Sequence, residues 1–193
     1  MLKRCGVLSI LVATVIFQVS ATGISSETAR GGRLDPVEKE IEGWKVHVDP
    51  ALLEGERGDA GPRALQMLGN HLQRIKIVVP AEAVKKLQTI EIWIEKSNPR
   101  LSSMQYHPSR GWLERNGHDT RLAKKVHITR ADQLLSREQM LKHPAVILHE
   151  LAHGYHDQIL GFEHPAVIDA FEAAKSAGTC LLYTSDAADD GVG

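Results

Sequence analysis

Two histidines and a glutamate stand close together in one short segment of the chain. His149 and His153 are four residues apart, and Glu150 directly follows the first of them. On a helix, residues four apart lie on one face, one turn apart, so both imidazoles can face the same ion. Neutral imidazole is a good ligand for zinc, which prefers a tetrahedral shell. The spacing therefore predicts that His149 and His153 bind Zn²⁺.

Glu150 is placed to act as a catalytic base. It is offset around the helix from His149, where it can reach a water on the metal without being a ligand. Zinc lowers the pKa of a bound water from about 15.7 toward roughly 7. A nearby carboxylate can take the proton as the water attacks a peptide carbonyl and then pass it to the leaving amine. We therefore expect hydrolysis of a peptide bond with Glu150 as general base.

The residues around this motif are apolar on every side. Residues 144–160 read PAVILHELAHGYHDQIL, and a helix that is apolar all round is buried. Polar groups in such a helix need partners, because burying them alone is costly. A bound metal supplies that partner. The alternative is a pair of core histidines beside a fortuitous glutamate, which would leave the charge of Glu150 in an apolar helix.

Through His149-Glu150-Leu151-Ala152-His153 the chain resembles the zincin metallopeptidases. The resemblance covers roughly Val126 to Gly161 by motif. It implies an α+β fold in which an N-terminal twisted mixed sheet is followed by the active-site helix, beneath an edge strand that binds substrate. It also implies Zn²⁺ as cofactor and a peptide or protein as substrate.

The identity of the third zinc ligand separates the zincin subfamilies. Metzincins place a glycine three residues and a histidine six residues after the second ligand, but His156 and Ile159 occupy those positions here. His156 lies two turns from His149, about 10.5 Å along a straight helix at about 1.5 Å per residue. One ion could bind both only if the helix broke at Gly154, and Asp157 faces a similar objection.

A gluzincin arrangement, in which a glutamate on a later helix completes the shell, fits the sequence better. The chain also resembles peptidases related to the anthrax lethal factor catalytic domain. The glutamates before residue 179 that could supply this third ligand are Glu163 and Glu172. We expect instead that the third ligand is encoded beyond Thr179, so that residues 44–179 are a partial catalytic domain and this chain is inactive as it stands.

Two other functions stay open. A zinc hydrolase could act on a non-peptide amide such as a cell-wall linkage, and no residue pattern separates that activity from peptide hydrolysis. A catalytically inactive domain could keep zinc for structure, but such sites are closed by four protein ligands, usually with cysteine. Of the other histidines, His127 is the most interesting, because a strand just before the active helix could be the substrate-binding edge. Tyr106 and Tyr155 could stabilise charge on the substrate.

The N-terminus has the pattern of a secretory signal peptide at residues 1–21. Lys3 and Arg4 precede an apolar run that is too short for a comfortable membrane span, and Val19-Ser20-Ala21 supplies small residues at the cleavage spacing. We expect an exported protein, secreted or periplasmic, without stable membrane association after cleavage. An uncleaved membrane anchor is the alternative. Residues 22–43 are rich in Gly, Ser, Thr and charge, which is typical of a flexible leader.

The C-terminal residues 180–193 form a second unusual segment. The run from Cys180 to Asp190 resembles a translated sequencing-library adapter, which would place the end of the native sequence near Thr179. The alternative is a natural flexible acidic tail. If the tail is foreign, the mature native part contains no cysteine, and no disulfide framework is expected.

Composition and charge bear on the number of domains and on the kind of binding partner. The 193-residue chain is 42% hydrophobic and has a formal net charge of -1, which suits one domain with one core. The charges are scattered and nearly balanced, so no nucleic-acid partner is expected.

Hydrophobic periodicity places the elements around the motif. It predicts strands at Trp44–Val48, Lys76–Val79, Thr89–Glu95, Met104–His107 and Val126–Ile128, and a hairpin within Trp112–Arg121. It predicts helices from Pro62 through Ile75, at Ala81–Leu87, from Ser136 to Lys142, from Pro144 to Gly161, and after Pro165. Strands come first and helices last, an order that favours α+β rather than alternating α/β.

Overall fold

A five-stranded mixed sheet organises the part of the chain that the computed structural model describes, residues 34–178. Its strands are β1 (Val37–Ile41), β2 (Trp44–Val48), β3 (Ile92–Ile94), β4 (Gln105–Tyr106) and β5 (Val126–Ile128). The sheet order is β1-β2-β3-β5-β4. Strands β2, β3 and β5 are parallel, whereas β1 and β4 run antiparallel to their neighbours at the two edges. The predicted signal peptide, leader residues 22–33 and the tail 180–193 lie outside the described residues.

Six helices accompany the sheet within residues 34–178, and the fold is α+β. They are α1 (Ala60–Val78), α2 (Ala81–Leu87), α3 (Arg110–Arg115), α4 (Arg137–Lys142), α5 (Val146–Tyr155) and α6 (Pro165–Ser176). Helix α5 carries the motif and packs against α1, α2, β4 and β5. A π-helical turn, His156–Leu160, continues it to Gly161. None of the described helices has both the length and the apolar character of a membrane span.

The two faces of the sheet differ because side chains alternate along each strand. One face carries a set of fully buried apolar side chains: Trp44, Val46, Val48, Ile92, Ile94, Val126 and Ile128. They form the main core with the apolar stripe of α1 and with Ile147 and Leu151 of α5. The opposite face carries His47, Trp93 and His127. There Trp93 forms a smaller cluster with Leu113 and Leu122.

Several predicted elements are confirmed. Helix α1 buries Ala64, Leu68, Leu72 and Ile75, the stripe that its spacing predicts. Ser136 caps α4 by accepting a hydrogen bond at Oγ from the Gln139 backbone N–H, 3.3 Å away. Gly161 ends the π-helical continuation of α5 with a φ of +82°, a conformation that glycine adopts without strain.

Four sequence predictions were wrong. The leader does not extend to residue 43, because β1 pairs with β2 through a turn at Glu42-Gly43, both with positive φ. The predicted strand Lys76–Val79 is the end of α1, extended by one further turn. The predicted hairpin at Asn116-Gly117 is the end of α3, where Gly117 has a φ of +66°. Helices α1 and α2 stand between β2 and β3, so strands do not all precede helices.

Candidate metal centre

Helix α5 places the two motif histidines side by side. Their Nε2 atoms are 3.1 Å apart, and the rings meet edge to face with centroids 4.8 Å apart. Two nitrogens that each lie about 2.0–2.1 Å from a tetrahedral zinc are themselves about 3.3 Å apart. The geometry therefore fits two ligands of one ion. The same separation also permits a hydrogen bond between the two rings, the arrangement expected of a simple histidine pair.

The described residues supply no third ligand to this pair. Among residues 34–178, no group of three or more His, Cys, Asp or Glu side chains is arranged to hold a metal. His156 begins the π-helical turn, and Asp157 is bound to Lys124 and Tyr106. Glu163 and Glu172 are exposed. The described residues end at residue 178 and so do not test the expectation that the third ligand is encoded in native sequence beyond Thr179.

Glu150 lies on a different side of α5 from the two histidines and faces the sheet. Only 5% of the surface of Glu150 is exposed. Its Oε2 accepts a 2.8 Å hydrogen bond from the backbone N–H of Tyr106 in β4. A buried carboxylate requires such donors, and a hydrogen bond to a charged acceptor is among the stronger ones. The candidate base is thus tied to the edge strand of the sheet.

Gly154 lets α5 approach this strand closely. A Cβ atom at this position would lie 2.9 Å from Ile90 Cγ2 and 3.1 Å from Tyr106 Cε2. The lack of a side chain is therefore a packing requirement. This close packing matters for the site for two reasons. Gly154 directly follows His153, and Tyr106 also binds Glu150.

Substituting Gly154 by alanine should destabilise the protein. Overpacking a close contact costs typically about 1–3 kcal/mol, and the gain in helix propensity from Gly to Ala offsets about 1 kcal/mol of it. We expect a net loss of up to about 2 kcal/mol in the free energy of unfolding, measured by urea denaturation. Gly69→Ala is the matched control in α1, since its Cβ would lie 3.6 Å from Ile41 Cγ2. The control should be neutral or stabilising, and equal losses in both variants would contradict a packing requirement at Gly154.

A polar cluster joins β4 to the π-helical turn after α5. The Tyr106 hydroxyl donates to Asp157 Oδ2 at 2.7 Å, and Lys124 Nζ lies 2.6 Å from the same oxygen. Gln158 Nε2 donates both to the Tyr106 hydroxyl and to the Lys124 carbonyl, each at 3.0 Å. Burial, and then the hydrogen bond to Asp157, raise the pKa of Tyr106 far above its ordinary value. The hydroxyl stays protonated and committed to Asp157, which argues against the expected role of Tyr106 in stabilising substrate charge.

The expectation that His127 lies on a substrate-binding edge was wrong. Strand β5 is an interior strand, and β4 is the edge beside it. Because Val126 and Ile128 face the core, His127 faces the other side of the sheet, away from α5. There its Nε2 lies 3.0 Å from Glu95 Oε1, and its Nδ1 lies 3.1 Å from His107 Nε2. These two histidines form a buried chain of hydrogen bonds rather than part of the candidate metal centre.

Comparison with known proteins found no relative of this chain. No family model matches the chain, and neither a curated protein nor a solved structure is significantly similar to it.

The contacts of Glu150 and Asp157 with β4 are the parts of the site that sequence reasoning missed. Tyr106 is 44 residues from Glu150 and 51 from Asp157, and its two-residue strand has no distinctive pattern. The one available signal was Gly154, a residue unfavourable within a helix unless packing requires it.

Proposed function

We propose that this chain is an exported zinc-dependent metallopeptidase of zincin type, with His149 and His153 as zinc ligands and Glu150 as general base. The observation that carries the proposal is the 3.1 Å separation of the two Nε2 atoms. It gives two nitrogen donors the spacing that one zinc ion requires. The substrate class is a peptide or protein.

Each side chain of the motif has a separate role in the proposed reaction. His149 and His153 would hold the ion from one face of α5. When bound, zinc would supply a Lewis acid that lowers the pKa of a water and polarises a carbonyl oxygen. Glu150 would accept the proton of the attacking water on its carboxylate and deliver it to the leaving amine. Its bond to the Tyr106 N–H would keep that carboxylate oriented.

The arrangement of α5 and β4 supports the zincin-like interpretation of the fold. The resemblance implies an active-site helix beneath an edge strand, and α5 contacts β4, an antiparallel edge strand. A third ligand of gluzincin type would come from residues beyond Thr179. Two protein ligands alone would leave the shell incomplete, because a catalytic zinc site keeps three.

Metal titration tests the ligand assignment directly. For the chain that includes the third ligand, we expect calorimetric titration with Zn²⁺ to give about one ion per chain, and His153→Ala to weaken that affinity at least 100-fold, since even residues that only orient ligands contribute about 10–100-fold. His143→Ala is the matched control because His143 is exposed and follows α4. The control should bind as the native chain does. Native affinity in the His153 variant would refute the ligand assignment.

A further inference from the structure

The structure assigns Tyr106 a positioning role, in which it orients the carboxylate of Glu150 by holding α5 at one point and its π-helical continuation at another. This inference rests on the proposed function only for the role of Glu150 as base. The contacts themselves are independent of zinc. Tyr106 is a positioning residue because it acts on a substrate only through Glu150.

The first contact uses an N–H that the sheet leaves unused. In an edge strand, successive backbone groups point alternately toward the neighbouring strand and away from it. The His107 N–H bonds to the Lys125 carbonyl beside β5, 3.1 Å away. The Tyr106 N–H therefore points away from the sheet, and it donates to Glu150 Oε2 at 2.8 Å. This position on the strand edge fixes where the carboxylate lies.

The second contact lies about two turns further along the helix. The Tyr106 hydroxyl donates to Asp157, whose side chain is 6% exposed and also binds Lys124. Glu150 and Asp157 are seven residues apart, about 10.5 Å at about 1.5 Å per residue. One tyrosine thus spans the stretch of helix that contains His153. Its ring passes Gly154, the position where a Cβ would collide with it.

Two contacts hold a helix more completely than one does. A single hydrogen bond to Glu150 would allow α5 to rotate or slide against β4. With a second contact at Asp157, the rotation of the helix is set. At about 100° per residue, the face with Glu150, Gly154 and Asp157 lies roughly a quarter turn from the face with His149 and His153. Helix geometry fixes that quarter turn, whereas Tyr106 fixes how the whole helix is rotated against β4 and where the Glu150 carboxylate points.

Removing the hydroxyl alone separates this role from simple packing. Tyr106→Phe keeps the ring and the backbone donor but loses the bond to Asp157. We expect hydrogen exchange of the residue-106 amide to become at least tenfold faster relative to the Val126 amide, which bonds to the Glu91 carbonyl in the core. Tyr155→Phe is the matched control on α5 itself and should leave that ratio unchanged. An unchanged ratio in the Tyr106 variant would overturn the inference.

A second measurement detects the coupling between Tyr106 and Glu150. A purely structural role of Tyr106 would not change its result. Glu150→Gln replaces a charged acceptor by a neutral one, so the residue-106 amide proton should shift upfield in the NMR spectrum of the otherwise native chain. In the Tyr106→Phe background that shift should fall by at least half, because Glu150 has left the amide. Equal shifts in both backgrounds would contradict the inference. Neither measurement needs zinc or hydrolysis, so failure here is distinguishable from failure of the proposed peptidase function.

Discussion

Replacing Glu150 by glutamine should lower kcat/KM for peptide hydrolysis by about 10²–10⁴-fold, the contribution of a positioned general base. That loss corresponds to about 3–5 kcal/mol of transition-state stabilisation. Glutamine cannot accept a proton, but its carbonyl oxygen can still accept the Tyr106 N–H bond that Glu150 makes. Because Glu150 is not a ligand in the proposed site, Zn²⁺ affinity should stay close to the native value.

The measurement combines hydrolysis of an internally quenched peptide library with calorimetric zinc titration. If the third ligand is encoded beyond Thr179, the hydrolysis arm requires the chain that contains it. Glu138→Gln is the matched control, since Glu138 is exposed and pairs with Lys142 on α4. The control should keep both properties. Undiminished hydrolysis by the Glu150 variant would remove Glu150 as base. A zinc-bound native protein that cleaves non-peptide amides but not peptides would instead indicate the other substrate class.

Helix α5, which carries the motif, could be predicted from sequence because its signals are local. The four-residue spacing of His149 and His153 and the apolar residues around them identify a buried helix with one polar face. Glycine at position 161 marks the end of its π-helical continuation. Nothing in these features depends on the rest of the chain.

The surroundings of the helix could not be predicted, because they depend on contacts distant in sequence. Whether β4 or β5 forms the sheet edge is decided by strand pairing, and two short strands with similar patterns give no basis for the choice. The error about His127 follows from this. The turn at Glu42-Gly43 lacks the Asn-Gly or Asp-Gly pair that usually marks a tight hairpin, so no turn signal separates β1 from the predicted leader. Strand β1 reads VEKEI, with apolar residues only at its two ends, so its alternation is also weak.

Acidification should destabilise the folded domain through His107, on the sheet face opposite α5. Burial, followed by the charges of His127 and His118, lowers the pKa of His107 from 6.5 to about 3. The unfolded chain therefore takes up this proton first as the pH falls. Between about pH 6.5 and 3 the unfolded state holds one more proton, so the free energy of unfolding should fall by about 1.4 kcal/mol per pH unit from this group. Above pH 6.5 the group contributes no pH dependence.

The range from pH 7 to pH 5 separates the contribution of His107 from that of Glu91. Burial raises the pKa of Glu91, but hydrogen bonds from Lys125, His47 and Lys45 outweigh it and bring the pKa to about 2. A carboxylate with a lowered pKa stabilises the fold above its unfolded value of 4.5 and loses that contribution as the pH falls toward 2. Glu91 therefore acts below about pH 4.5, outside the range in which the His107 effect is measured.

His107→Gln tests the assignment because glutamine can still donate a hydrogen bond to His127 Nδ1 but does not titrate. Urea denaturation from pH 7 to pH 5, with a chelator present so that metal release adds nothing, should show a slope smaller by about 1 kcal/mol per pH unit than in the native chain. His143→Gln, at an exposed position, should retain the native slope. If the His107 variant also keeps the native slope, the acid sensitivity arises from groups other than His107. Since His107 lies on the face away from α5, zinc affinity at pH 7 should be equal in all three proteins, which separates the acid response of the fold from the chemistry of the site.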